Sequence, residues 1–139
     1  MKTLSLIVIM VVVAFVLVAC SGKKDDTANL KPVDTRSVGK LTIMLLSTTG
    51  ELKQGQNDFV VRFKDDKGQL VEVSDVHLGS SMTMPSMAPM SGGSEIRPTG
   101  QTGTYRVKSN FGMSGAWHFT ISWNGPYGQG STAFNSNVR

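Results

Sequence analysis

From Lys40 onward the apolar residues recur at every second position, in short runs separated by turn-forming residues. Leu41, Ile43 and Leu45 alternate with Thr42, Met44 and Leu46, and Phe59, Val61 and Phe63 alternate with Val60, Arg62 and Lys64. Tyr105 and Val107 follow the same rule, and Trp117, Phe119, Ile121 and Trp123 follow it most cleanly, with His118, Thr120 and Ser122 between them. A period of two belongs to strands buried on one face, whereas a helix needs a period of 3.6. Thr49-Gly50, Asp65-Asp66-Lys67-Gly68, Ser91-Gly92-Gly93, Pro98-Thr99-Gly100 and Asn124-Gly125-Pro126 punctuate the runs as turns. The pattern predicts an all-β chain of five to seven short antiparallel strands, folded as a small β-sandwich. In the middle segment Val71 and Val73 share one parity while Val76 and Leu78 share the other, which calls for a bulge near Ser74-Asp75. On the shifted register Ser80, Met82 and Met84 continue the side of Val76 and Leu78, and His77 points the opposite way.

Composition removes several function classes. With one cysteine and two histidines among 139 residues, the chain has no internal disulfide, no multi-cysteine zinc or iron–sulfur site and no three-histidine metal centre. Fourteen basic and ten acidic residues leave a formal charge of +4, but Lys23-Lys24 is the one adjacent basic pair, so no basic face for nucleic acid is expected. Asp65, Asp66, Asp75 and Glu95 fall at turns rather than as paired acid–base groups, and no serine–histidine–acid or cysteine–histidine constellation stands out. An enzyme is not expected.

The first nineteen residues read as an address. Lys2 precedes Leu4 to Val18, a run apolar except for Ser5 and short of the roughly 20 residues a spanning helix needs. Leu17-Val18-Ala19-Cys20 then resembles a bacterial lipobox, which implies a lipoprotein signal peptide over residues 1–19 and a lipidated Cys20. Several acyl chains, each contributing about 0.8 kcal/mol per buried methylene, would fix the protein to a membrane. Residues 20–39 read as a flexible tether and residues 40–139 as the folded domain. The expected location is the cell envelope, on the outer membrane facing the periplasm in a Gram-negative cell.

The functional signal is a cluster of sulfur. Six of the eight methionines remain after cleavage, and four of them, Met82, Met84, Met87 and Met90, fall within nine residues. An even spread would place roughly 0.5 in such a window, so the enrichment is about eightfold. Pro85 and Pro89 restrict the segment and lower the cost of ordering it. Thioether sulfur is soft and neutral, which selects Cu(I) over zinc, magnesium or calcium, and it needs no deprotonation. Met82 and Met84, two apart on one strand face, could bend onto one ion, with Met87 or Met90 adding a third sulfur. Met113, in the glycine-rich turn before Trp117, is a supporting candidate, and His77 an additional one. Two other readings compete: methionine as adaptable core filler under a loop, and methionine as an exposed docking surface.

The stretch from about Lys40 to Val138 resembles the YtkA-like family of immunoglobulin-like domains. The resemblance is carried by the Gly68 turn before a valine-rich strand, the Met82–Met90 cluster with Met84-Pro85, Gly103-Thr104-Tyr105-Arg106, and Met113-Ser114-Gly115-Ala116-Trp117. It implies an immunoglobulin-like antiparallel β-sandwich of about seven strands and a link with copper or other heavy-metal handling. Its partners would be a heavy-metal efflux or oxidase-assembly protein. Many relatives are expected to carry a histidine beside the methionine–proline motif. Ser86 and Ala88 stand there in this chain, which favours sulfur-only coordination. The reading is therefore a lipid-anchored module that buffers or transfers Cu(I), set against a docking domain without a metal site of its own.

Overall fold

Leu41, Ile43 and Leu45 on one strand and Phe59, Val61 and Phe63 on its neighbour are all buried, and they set the inner face of the first layer. The computed structural model describes residues 27–139; the stretch read as a signal peptide, Cys20 and the start of the expected tether lie outside the described residues. Among these residues there are eight strands: β1 (Lys31–Val38), β2 (Leu41–Ser47), β3 (Gly55–Asp65), β4 (Ser74–Met82), β5 (Met90–Pro98), β6 (Thr104–Phe111), β7 (Gly115–Gly125) and β8 (Gly128–Val138). All neighbours pair antiparallel, in the order β1-β2-β3-β6-β5-β4-β7-β8. The sheet folds over on itself as an immunoglobulin-like β-sandwich, with one strand more than the apolar pattern implied.

β5 makes the fold-over. Its first residues, Met90 to Gly92, pair with β4, and from Gly93 onward it pairs with β6. The change of partner falls on Gly92-Gly93, read from the sequence as a turn. A Cβ on Gly92 would lie 2.5 Å from the Ser80 hydroxyl and 3.2 Å from the Trp117 ring, so only a residue without a side chain lets the layers come this close.

β1 corrects the tether boundary. Residues 31–38, assigned to a flexible linker, form an edge strand hydrogen-bonded to β2 from Lys31–Ser47 to Val38–Leu41. Its apolar residues are few, but Val33 and Val38 pack against the core. Pro32 fits because an edge strand leaves some amides without a ladder partner, and the register slips beside it, between Pro32 and Asp34.

The predicted bulge is present. The β4–β7 register shifts between Ser74 and His77, Asp75 takes a positive φ of 50°, and Val73 and Val76 are both buried on either side of it. Inside the sandwich the aromatic rings form two groups. Phe111 meets Trp117 at 5.1 Å and Phe119 edge-on at 5.5 Å, near the β4–β5 end. Phe63 meets Trp123 at 5.4 Å and Tyr105 at 6.0 Å, toward the other end. Each such pair contributes about 0.5–1.5 kcal/mol beyond the area it buries.

Candidate functional site

β4 ends at Met82 and β5 begins at Met90, and these two residues are paired directly across the ladder. Residues opposite each other in an antiparallel pair have β-carbons about 4.5–5.5 Å apart on the same face. This is closer than the two-apart spacing expected for Met82 and Met84, and Met84 lies past the strand end. The connection contains a turn, Met84-Pro85-Ser86-Met87, in which the Met87 amide donates to the Met84 carbonyl at 3.4 Å. Pro85 supplies the fixed φ of the second position, and Ser86 at φ 64° occupies the third, the arrangement of a type II turn.

The β6–β7 turn lies against the methionine pair. The Sδ of Met90 is 3.6 Å from where a Cβ on Gly112 would stand. A Cβ on Gly115 would overlap the terminal methyl of Met82. Between these two glycines is Met113, whose carbonyl accepts a hydrogen bond from the Trp117 indole at 3.0 Å. Gly115 thus gives Met82 room, and the buried tryptophan fixes the turn that carries a third sulfur. Gln54 ties the same turn to the β2–β3 loop by donating to the Gly112 carbonyl at 3.0 Å.

Exposure is graded across the group. Met82 is 8% exposed and belongs to the hydrophobic core, and Met84 and Met90 are half-buried against that core. Met87 is 65% and Met113 41% exposed. The three segments bring Met82, Met90 and the Met113 turn together at one end of the sandwich, above the Phe111–Trp117 pair. Met84 leans on the core from the connecting turn, and Met87 projects from it.

The two histidines lie on the outer face, away from the buried side that carries Met82. His77 stands five residues before Met82, a distance of about 17 Å along a strand, and is exposed on the outer face, in a shallow groove with Asp75, Ser122 and Asn124. It therefore does not join the methionines as an additional ligand. His118 is also exposed, with its Nδ1 2.7 Å from the Asn135 side-chain oxygen. Among the described residues no three histidine, cysteine, aspartate or glutamate side chains are grouped to hold a metal. A cation at the methionine end would meet neutral sulfur over an aromatic floor. This suits a soft, singly charged ion and disfavours ions that require charged oxygen ligands.

The Met82–Met90 pairing is the feature that sequence reasoning missed. Met90 could be placed only by knowing that the polar segment Met90–Pro98 is a strand. Its residues give almost no signal, since Ile96 is the one aliphatic residue after Met90.

The sequence profile of the YtkA-like family matches residues 35–122. A solved filamin domain of Lin-41 is similar in structure, with 17% identity and a TM-score of 0.45 over 64% of this chain and 81% of that one. None of the curated proteins matches the chain.

Proposed function

The chain belongs to the YtkA-like family, and from that premise we propose that it is an extracytoplasmic, lipid-anchored module that holds Cu(I) through thioethers and buffers it or hands it on. The observation that carries this reading is the register pairing of Met82 with Met90, closed over by the glycine-flanked turn of Met113. Met82 and Met90 are the inner donors and Met113 the third. Met84 and Met87 are supporting donors on the solvent side. Neutral donors let the site work at acidic pH, where imidazole and thiolate ligands would have to lose a proton first. The anchor in this proposal is Cys20.

The test is a competition assay. The mature chain, titrated under reducing conditions against a chromophoric Cu(I) chelator, should withdraw copper from it. Met82→Leu, Met90→Leu and Met113→Leu combined should end this withdrawal while the circular dichroism spectrum stays that of a sandwich, because leucine keeps the bulk and removes the sulfur. Equal competition by the triple variant would overturn the reading.

The exposure of Met87 and Met113 favours a second reading, an accessory domain that docks through these side chains onto an efflux or oxidase-assembly protein. Capture of such a partner would then persist without copper and survive the leucine substitutions.

A further inference from the structure

The first described residue, Thr27, is buried. Its hydroxyl donates to the Gln101 side chain at 3.2 Å, and its carbonyl accepts from the Arg62 guanidinium at 3.5 Å. Gln101 belongs to the β5–β6 turn. That turn is at the end opposite the methionines, because β5 runs from Met90, paired with Met82, to Pro98, paired with Tyr105. The chain coming from Cys20 therefore joins the fold beside the far end. Seven peptide steps separate Cys20 from Thr27, a reach of at most about 25 Å.

The same end carries Tyr127, 52% exposed in the β7–β8 turn, with the Lys40 ammonium of the β1–β2 turn 6.0 Å from its ring centroid. An exposed phenol ring beside a lysine suits the headgroup layer of a bilayer, where an apolar ring with a polar tip and a cation are both accommodated. Lys67, in the β3–β4 turn, is exposed at this end as well, alongside Asp66.

We propose that the end formed by Tyr127 and Lys40 rests against phospholipid headgroups, so that the methionine rim points away from the membrane. The rim then stands about 27 Å, the length of β5, further into the aqueous space. The arrangement rests on Cys20 as the lipid-bearing residue and leaves the sulfur donors open to a partner arriving from the water side.

The experiment is amine footprinting of the lipidated protein in phosphatidylethanolamine–phosphatidylglycerol vesicles, without metal, against the soluble mature chain. Acetylation of Lys40 and Lys67 should slow by about threefold or more on the vesicle, as contact with the headgroup layer shields an amine. Lys53, at the methionine end, should react unchanged. Tyr127→Ser should restore much of the reactivity of Lys40. Protection of Lys53, or equal rates at both ends, overturns the orientation. Intact mass reports the acyl chains on Cys20 separately. If they are missing, the mature chain coupled through its Cys20 thiol to a maleimide lipid repeats the footprint, and the same pattern upholds or overturns the orientation.

Discussion

Replacing Gly115 by alanine sets the backbone and the methionine site against each other. Gly115 has a φ of +133°, a region that side-chain-bearing residues rarely enter, and an added methyl would also overlap the end of Met82. Holding a non-glycine residue there costs about 1–3 kcal/mol. The overlap itself is with the far end of a flexible side chain, so Met82 can swing away for about 1 kcal/mol. The swing, however, carries its sulfur away from Met90. For a domain near 100 residues a loss of about 2 kcal/mol lowers Tm by about 8–16 °C. Gly112→Ala is the matched control: its methyl would stand at an ordinary 3.6 Å from the Met90 sulfur, and Gly112 is not among the positive-φ glycines. Calorimetry should show a large drop for Gly115→Ala and a small one for Gly112→Ala. In the chelator competition assay, at a temperature where both variants remain folded, Gly115→Ala should weaken Cu(I) retention. In a Met82→Leu background the same substitution should add no further loss of retention, since the sulfur it displaces is already gone. An unchanged Tm would refute the backbone argument. Additive losses of copper in the double variant would refute the claim that Gly115 acts through Met82.

Two other substitutions separate the fold from the site. Gly130→Ala would put a methyl 2.5 Å from the Trp123 ring, which is buried and packed on Phe63 and cannot yield. Denaturant melts should show a loss of about 1–3 kcal/mol with copper retention intact. Tyr105 donates to the Val73 carbonyl, and its hydroxyl pKa is raised, first by burial and then by the nearby Glu72 carboxylate. The folded state thus holds this proton more tightly than the unfolded chain, where tyrosine titrates near pH 10. The associated stability is complete below about pH 10 and is lost as pH rises toward the higher folded value. Urea melts from pH 8 to 11.5 should show that decline, and Tyr105→Phe should flatten it while costing about 1 kcal/mol at neutral pH.

The strands that announced themselves did so through burial on one face. Trp117, Phe119, Ile121 and Trp123 alternate so regularly because β7 lies between β4 and β8 with its inner face wholly inside the core. The bulge at Ser74-Asp75 was legible for the same reason, since two parities of valine cannot share one face without an extra residue. β1, β5 and β8 were silent. β1 is held at the sheet edge by its ladder with β2 and contributes only Val33 and Val38 to the core. β8 buries Phe134 and Val138 among eleven largely small and polar residues. In such strands backbone hydrogen bonds and neighbours specify the structure, and neither leaves a period in the side chains.

The site inherits this unevenness. The enrichment of methionine around Pro85 and Pro89 was visible as composition, but nearness along the chain did not reveal that Met90 stands opposite Met82. Met84 and Met87 follow Met82 closely, but the strand ends at Met82 and the two flank a proline turn, Met84 half-buried against the core and Met87 exposed. Met90, eight residues away, returns to stand opposite Met82 because β5 pairs with β4 for three residues before crossing to β6 at Gly92-Gly93. Met113 arrives through a separate turn, held by Trp117, in which Gly115 leaves room for Met82. Two glycines therefore help to define the candidate site beside its methionines. Gly92 lets β5 change layers beside Ser80 and Trp117, and Gly115 leaves space for the end of Met82. A glycine is read from sequence as a turn signal. Its role as clearance for a neighbour more than twenty residues away becomes visible only when the layers are in contact.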